Sequence, residues 1–257
     1  MDGVLYRGQT ALAGAAELLD FLREHGINYL MVTNNSTLTP AEFVKRLGGM
    51  GMRVREEEIM TSGVATAAYL ETLAPKGAKV NVVGEPALFE EITKRGFIIG
   101  GRDSDFVVCG WDKGISFEKL RVACLAIRDG ATFIGTNSDK TYPLERDIIP
   151  GAGSILAALI AATDVDPIVV GKPEPIMVEQ SLRILGAAAE ETAILGDRLE
   201  TDILGGARAG IATIMVLTGI STAEEAAGYE EAPPDLIYDD VPALLAAWQQ
   251  ALDGQQD

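Results

Sequence analysis

The segment TAILGDRLETDI, residues 192–203, carries the strongest indication of the fold, because an apolar run passes directly into a group of acids. Residues 192–195 are typical of a short buried strand. Asp197 and Asp202 follow that strand, and open α/β sheets gather their ligands at the carboxyl ends of the strands. Two carboxylates at such a place suit a hard cation such as magnesium. The alternative is a solvated helix start, since acids also favour the first turn of a helix.

Outward from this segment, short β-branched runs alternate with longer amphipathic patterns. This alternation is typical of a parallel sheet wrapped by helices, so the predicted class is α/β. The other predicted strands are Ile27–Thr33, Lys79–Val83, Phe106–Cys109, Thr132–Gly135, Pro167–Val170 and Ala212–Leu217.

Amphipathic helices are predicted between these strands. Leu18, Leu19 and Leu22 lie near one face of a predicted helix, and Thr39-Pro40 supplies a helix start. The predicted helices are Leu12–Arg23, one that begins at Thr39-Pro40, and others that begin near Ser116, Ser154, Glu174 and Thr201.

Three further polar clusters can be interpreted in two ways when each is taken alone. Asp2-Gly3 joins a carboxylate to a residue that lets the backbone turn, and such a pair is usually only a turn. The run Thr33–Ser36 (TNNS) offers a hydroxyl, amides and backbone N–H groups to an anion, or caps a helix. In Gly171–Pro175 (GKPEP), Lys172 can neutralise a phosphate or lie in solvent at a strand end.

The charge and composition exclude several classes of function. The 257 residues carry a formal net charge of −17, so the surface repels nucleic acid and anionic membrane. Only two cysteines occur, Cys109 and Cys124, and their spacing suggests neither a disulfide framework nor a zinc site. No signal peptide and no apolar run of membrane length is present. We therefore expect a cytoplasmic protein with no nucleic-acid and no membrane partner.

Taken together and in this order, the four clusters resemble the signature motifs of the haloacid dehalogenase (HAD) superfamily, whose first motif reads Asp-x-Asp-Gly. More closely, DGVLYRG, TNNS, GKPEP and GDRxxTDI resemble the NagD-like or p-nitrophenyl-phosphatase-like class over essentially the whole chain. The resemblance implies an α/β fold with a Rossmann-like core, a parallel sheet and an inserted α/β cap of the C2 type. The core would comprise residues 1–77 and 167–257, and the cap residues 78–166.

The resemblance also implies a Mg²⁺-dependent phosphatase that acts on small phosphomonoesters through an aspartyl-phosphate intermediate. Asp2 would be the general acid and base, and Thr33, the Asn34 backbone and Lys172 would hold the phosphate. Such transfers depend mainly on positioning and on electrostatic stabilisation.

The implied magnesium site consists of aspartates. Asp197 would coordinate the ion, the backbone carbonyl of Asp2 would also meet it, and Asp202 would orient the metal's water or Asp197 itself.

The same resemblance places the nucleophilic aspartate two positions before Asp2, upstream of Met1, together with the central strand that would deliver it. Two explanations remain open at this point. The chain is a fragment or has a misassigned start, or it is a non-catalytic phosphate-binding or scaffolding protein on the same fold. Omission of a central strand would leave two neighbours without ladder partners, so we expect poor folding from Met1.

Substrate choice is expected in the cap, where two loops follow predicted strands. The first contains Trp111 and Asp112, and the second contains Asn137, Asp139 and Tyr142. Both combine hydrogen-bonding groups with aromatic surface, although either could be an ordinary loop. Sugar phosphates, nucleotides, phosphoglycolate and aryl phosphates all remain candidate substrates, and a homodimer through the cap is a further expectation.

Overall fold

The computed structural model describes residues 1–143 and 147–254. Its strands are β1 (Tyr6–Arg7), β2 (Thr10–Ala11), β3 (Met31–Thr33), β4 (Ile59–Thr61), β5 (Lys79–Val83), β6 (Ile98–Ile99), β7 (Phe106–Cys109), β8 (Thr132–Gly135), β9 (Thr141–Pro143), β10 (Ile148–Pro150), β11 (Ile168–Val169), β12 (Ala193–Gly196), β13 (Ala212–Val216) and β14 (Leu236–Tyr238).

Ten α-helices connect these strands within the described residues. They are α1 (Ala15–Glu24), α2 (Pro40–Gly48), α3 (Ser62–Leu73), α4 (Pro86–Lys94), α5 (Phe117–Arg128), α6 (Ala152–Thr163), α7 (Ile176–Leu185), α8 (Leu204–Arg208), α9 (Ala223–Ala227) and α10 (Val241–Asp253). A π-helical turn, Leu199–Ile203, leads into α8, and short 3₁₀ helices cover Glu56–Glu58 and Ala189–Glu191.

Two of the helix starts that the sequence indicates are capped by a side chain. Thr39 forms a capping box with Glu42 at the start of α2, where Pro40 occupies the first turn. Ser116 accepts a hydrogen bond from the N–H of Lys119 at the start of α5. His25 forms the C-terminal cap of α1, and its Nδ1 lies 2.9 Å from the Phe21 carbonyl oxygen, so its position is explained by the helix end.

The largest sheet has five parallel strands in the order β11-β8-β7-β5-β6. Its side chains pack on α3 and α4 on one side and on α5 and α6 on the other. The parallel pairing confirms the predicted α/β class. The strand at Ile168–Val169 pairs with β8 in this sheet, although the sequence prediction assigned it to the core.

The remaining parallel strands form two separate pieces. One piece is the pair β3-β4, and the other is β12-β13-β14. Between them lies a largely apolar cavity of about 410 Å³, which we call the interstrand cleft; its lining includes Tyr29–Val32 next to β3 and Thr192–Leu195 next to β12. Within the described residues, β3 pairs only with β4, and β12 pairs only with β13.

The cleft explains why one predicted strand is shorter in the structure. The sequence predicts a strand over Ile27–Thr33, but only Met31–Thr33 is a strand, paired with Ile59–Thr61. Residues 27–30 border the cleft without a ladder partner among the described residues, and Ile27 is 46% exposed. A strand requires a neighbour for its backbone groups, so an apolar run alone does not fix its length.

No helix among the described residues is long and apolar enough to cross a membrane.

Candidate active site

The four polar clusters of the sequence meet at one cavity of about 520 Å³. Each cluster follows a strand end or an N-terminal turn, and the parallel topology brings these ends together. The six residues predicted for catalysis, phosphate binding and metal binding all line it: Asp2, Thr33, Asn34, Lys172, Asp197 and Asp202.

Lys172 and Asp202 form a buried ion pair at the base of this cavity. The Lys172 ammonium lies 2.5 Å from Oδ1 of Asp202, and each residue is 7% exposed. The other oxygen, Oδ2, accepts hydrogen bonds from the N–H groups of Asp197 and Arg198, each at 3.2 Å. Burial acts to raise the pKa of Asp202, but the Lys172 charge and these hydrogen bonds outweigh it and hold the pKa below its usual value. Asp202 is therefore ionised, and it fixes both the lysine and the Asp197 backbone.

Asp197 presents its carboxylate in a pocket made by two glycines. Its Oδ2 accepts a hydrogen bond from the Ile220 N–H at 3.1 Å, and within the described residues Oδ1 accepts none. A β-carbon on Gly3 or Gly219 would overlap this carboxylate. Burial, followed by the negative charge of Asp202, raises the pKa of Asp197. A carboxylate with a raised pKa and a free oxygen gains stability when a cation binds it.

Asp2 lines the same cavity as this carboxylate. Its Oδ1 accepts a hydrogen bond from the Gly3 N–H at 3.1 Å, and Gly3 has a φ of 76°, which turns the chain back toward Tyr6. Asp2 is exposed, so its carboxyl group is accessible to a ligand and to water.

The donor set fits a divalent cation held by few protein ligands. No group of three or more His, Cys, Asp and Glu side chains gathers into a metal-holding cluster in residues 1–143 and 147–254. Asp2 and Asp197 nevertheless line the same cavity, whereas both oxygens of Asp202 are occupied by Lys172 and backbone N–H groups. Magnesium commonly binds through one or two carboxylates and completes its shell with water and substrate phosphate.

The TNNS run forms the opposite wall. Thr33 Oγ1 accepts a hydrogen bond from the Asn35 N–H at 3.2 Å, which folds the loop back on its own first residue. The Asn34 side chain bonds both the N–H and the carbonyl of Lys172, at 2.9 and 2.8 Å. The TNNS loop and the segment that carries Lys172 are therefore directly connected.

Four of the five residues predicted for substrate choice line the same cavity. Trp111 and Tyr142 stack with ring centroids 4.8 Å apart, and Tyr142 Oη accepts a hydrogen bond from Asn35 Nδ2 at 3.4 Å. Asp139 is partly buried, and burial raises its pKa. Asn137 is the fourth.

Asp112 is the fifth residue, and its side chain does not line the cavity. It is 4% exposed, and its Oδ2 accepts from the Lys119 ammonium at 2.7 Å while Oδ1 accepts from the Gly114 N–H at 2.8 Å. These contacts hold the loop that begins α5.

Sequence reasoning missed the loop Leu217–Ser221, which follows β13. This loop supplies the Ile220 N–H to Asp197, and Thr218 Oγ1 donates to the Gly3 carbonyl at 2.6 Å. Its signal was a polar, glycine-containing stretch directly after an apolar strand, the same signal that marked the other clusters. Arg46 and Arg198 also line the cavity and were not singled out.

The chain matches two family descriptions. Residues 1–98 match "Haloacid dehalogenase-like hydrolase", and residues 169–244 match "HAD-hyrolase-like". Two curated relatives span nearly the whole chain. The 5'-nucleotidase YutF of Bacillus subtilis is 40% identical and covers 92% of each chain, and the acid sugar phosphatase of Staphylococcus aureus is 40% identical over 96% of this chain and 95% of its own. Among solved structures, NagD of E. coli K-12 superposes with a TM-score of 0.88 at 35% identity, and the match covers 94% of each chain.

Proposed function

Since the chain belongs to the haloacid dehalogenase superfamily, in its NagD-like branch, we propose that it is a Mg²⁺-dependent phosphatase that acts through an aspartyl-phosphate intermediate. Its relatives are phosphatases, and the chain is a phosphoric monoester hydrolase of α/β fold. The proposal concerns the metal, the roles of the residues and the route of the reaction.

One observation carries the proposal: an acid, a buried lysine and an anion-binding loop face a single cavity. Asp2, Lys172 and Thr33 come from three distant parts of the sequence, yet all three line it. An accessible carboxyl group beside a positive charge and free backbone donors suits the transfer of a phosphoryl group, which depends on positioning and charge stabilisation.

We assign the acid and base role to Asp2. It is exposed and lines the cavity, so a leaving alcohol and an attacking water would both be able to reach it. As an acid it would protonate the leaving oxygen, and as a base it would then take a proton from the attacking water.

Thr33, the Asn34 N–H and Lys172 would hold the phosphoryl oxygens. Thr33 is the last residue of β3, and the Lys172 ammonium is fixed by Asp202. A preorganised positive charge in a buried site costs little reorganisation when negative charge develops on the phosphoryl group.

Magnesium would be held by Asp197 and by Asp2, with Asp202 behind them. When bound, the ion would neutralise charge on the phosphate and hold it in line for displacement. Oδ1 of Asp197, which accepts no hydrogen bond within the described residues, and the backbone carbonyl of Asp2 would supply hard oxygen donors, and Asp202 fixes the Asp197 backbone.

The nucleophile of the proposed reaction would be an aspartate at the position before Met1, on a strand that would occupy the interstrand cleft. Met1 lines both the cleft and the catalytic cavity, so a residue attached to it stands at the junction of the two. An aspartate there would face Lys172, which lines both cavities as well.

Substrate choice would come from the residues around the aromatic pair Trp111–Tyr142, together with Asn137 and Asp139. We propose small phosphomonoesters as substrates and a homodimer formed through the cap. The proposed core comprises residues 1–77 and 167–257, and the proposed cap comprises residues 78–166. β11, at the start of the second core segment, pairs with β8 of the cap sheet.

The test is Mg²⁺-dependent release of phosphate from p-nitrophenyl phosphate. The chain begun at Met1 is compared with the chain preceded by an apolar strand ending in aspartate, and with the same extension ending in asparagine. The proposal expects activity only with the aspartate, and a loss of at least about a hundredfold in Lys172→Met, as for removal of a charge-stabilising donor. A folded, extended protein that is inert across a panel of phosphomonoesters would overturn the proposal and favour a phosphate-binding role.

A further inference from the structure

We propose that the Asn34 side chain is a positioning residue for Lys172, and that Asn137 locks Asn34 in place. The inference rests on the proposed function, because it concerns how the phosphate-binding lysine of that site is held. It adds a role for the Asn34 side chain to the phosphate contact proposed for its backbone.

The first step is the pairing between Asn34 and Lys172. Asn34 Oδ1 accepts from the Lys172 N–H at 2.9 Å, and Asn34 Nδ2 donates to the Lys172 carbonyl at 2.8 Å. One planar amide therefore binds both backbone polar groups of one residue and restricts its φ and ψ together. The direction of the Lys172 side chain follows from that backbone, and the ammonium is then directed to Asp202.

The two contacts to the Lys172 backbone require an asparagine at position 34. An aspartate could accept from the Lys172 N–H but could not donate to the carbonyl, and its charge would face Asp139, whose Oδ2 lies 3.4 Å from Asn34 Nδ2. An alanine offers neither group. Only an amide of this length satisfies both sides of the Lys172 backbone.

The third step is the support for Asn34. The backbone carbonyl of Asn34 accepts hydrogen bonds from Ser62 Oγ at 2.6 Å and from Asn137 Nδ2 at 2.9 Å, and Asn137 is 5% exposed. Asn137 Oδ1 in turn accepts from the Asp139 N–H at 3.1 Å. The loop after β8 therefore fixes the loop after β3, which fixes the lysine.

Gly171 makes room for this arrangement. A β-carbon there would lie 2.8 Å from Asn34 Oδ1 and 2.9 Å from Asn137 Cβ, closer than such atoms approach. The Gly171 N–H also donates to the Thr136 carbonyl at 2.9 Å. The loops after β3 and β8 thus both contact the chain immediately before Lys172.

The test measures the affinity for inorganic phosphate of the chain preceded by the apolar strand ending in aspartate, with Mg²⁺ present, by isothermal titration calorimetry. Asn34→Ala should weaken phosphate binding about tenfold, as expected for two lost hydrogen bonds of ordinary strength. The isosteric Asn34→Asp should weaken it at least as much, and Asn137→Ala should weaken it less. Asn28→Ala, an exposed asparagine outside the catalytic cavity, should leave it unchanged. Far-UV circular dichroism and thermal unfolding show which variants are folded.

A double-mutant cycle separates positioning of the lysine from a general effect on the loop. If Asn34 acts through Lys172, Asn34→Ala should change phosphate affinity by less than about twofold when Lys172→Met and Asp202→Asn are already present. An equal loss of phosphate affinity in both backgrounds would overturn the inference, as would unchanged affinity in both folded Asn34 variants of the parent. In either case, phosphate binding by the parent would still support the proposed function. Absence of phosphate binding by the parent would overturn both.

Discussion

The ammonium of Lys172 and Oδ1 of Asp202 lie 2.5 Å apart with both residues 7% exposed, so each charge depends on the other for its stability. Removal of one partner from a buried pair leaves an uncompensated charge. The pair therefore neutralises Asp202 and also holds a positive charge at the proposed phosphate site.

Lys172→Met should lower the free energy of unfolding by about 3–5 kcal/mol, because Asp202 would be buried without its partner. The double variant Lys172→Met/Asp202→Asn should lose less than Lys172→Met alone. Urea unfolding at pH 7 measures both.

An exposed ion pair provides the control. Lys79 and Asp103 are paired at the surface, with side chains 46% and 69% exposed, so Lys79→Met should unfold at nearly the parent's urea concentration. Equal losses in Lys79→Met and Lys172→Met would contradict the importance of burial.

Gly219→Ala should weaken divalent metal binding by roughly ten- to a hundredfold, as for other changes that move a metal ligand. The reason is that the new β-carbon would overlap the Asp197 carboxylate. Gly48, at the end of α2, has open space where a β-carbon would lie, and Gly48→Ala should bind metal like the parent. Calorimetric titration with Mg²⁺ measures the change, and unaltered binding by a folded Gly219→Ala would show that the carboxylate is not held as described.

The sequence predicted much of the sheet because several strands are buried on both faces. Lys79–Val83, Phe106–Cys109 and Thr132–Gly135 were predicted with the bounds that the structure has. The prediction failed where the length of a strand depends on a neighbouring strand. Ile27, Tyr29 and Leu30 are apolar, but residues 27–30 have no ladder partner within the part of the chain that the structure describes.

The sequence predicted that residues at strand ends, such as Lys172 and Asp197, would lie together, and both line the same cavity. Other residues were not predictable from local sequence. Asp112 follows a strand, but its carboxylate accepts a hydrogen bond from Lys119 in the first turn of α5. Gly219 matters only because Asp197, distant in sequence, lies against it. Such pairings arise from tertiary packing, which a local pattern does not contain.

The stability of the protein should depend on pH through Glu58, which is 5% exposed. Burial acts to raise the pKa of Glu58, but hydrogen bonds from the Arg55 N–H and guanidinium outweigh it and lower the pKa. An unfolded carboxyl group protonates near its ordinary pKa of about 4.3. The contribution of Glu58 is therefore present above that pH and is lost as the pH falls through the lower pKa of the folded state.

Urea unfolding of Glu58→Gln at pH 7 and pH 3 tests this dependence. The variant should be less stable than the parent at pH 7, and the difference should shrink at pH 3. Glu57→Gln is the matched control, because the Glu57 side chain is 69% exposed and its change should have little effect at either pH. A difference that grows on acidification would refute the sign.

Tyr142 and Asp112 should differ in their effect on substrate choice. Tyr142 stacks on Trp111 beside the cavity, and such a pair is worth roughly 1 kcal/mol, so Tyr142→Ala should change the ratio of kcat/KM between two substrates by about three- to tenfold. Asp112→Asn should lower the Tm and leave that ratio unchanged, because its carboxylate faces Lys119. Steady-state kinetics with an aryl phosphate and a sugar phosphate make the comparison, and a shifted ratio in Asp112→Asn would mean that this loop contacts the substrate.

The interstrand cleft should accept one extended apolar segment attached to Met1. Within the described residues it borders backbone of β3 and β12 that has no partner on that side, its lining is largely apolar, and Met1 lines both it and the candidate active-site cavity. A run such as Val-Ile-Phe-Leu-Asp placed before Met1 would bury about three side chains at roughly 1.5–3 kcal/mol each, opposed by about 1–2 kcal/mol of backbone ordering per residue. The new ladder hydrogen bonds contribute further, at about 1 kcal/mol each.

We therefore expect the extended chain to unfold at a clearly higher urea concentration than the chain begun at Met1, which should fold poorly. A Gly-Ser-Gly-Ser-Asp extension of equal length should give no such gain, because it cannot fill an apolar cavity. Hydrogen exchange should then show protection of the Tyr29 and Leu30 amides only with the apolar extension, since these residues would gain a ladder partner. A chain begun at Met1 that is already soluble and unfolds cooperatively at the same urea concentration as the extended one would show that the cleft needs no occupant, and would favour the non-catalytic interpretation.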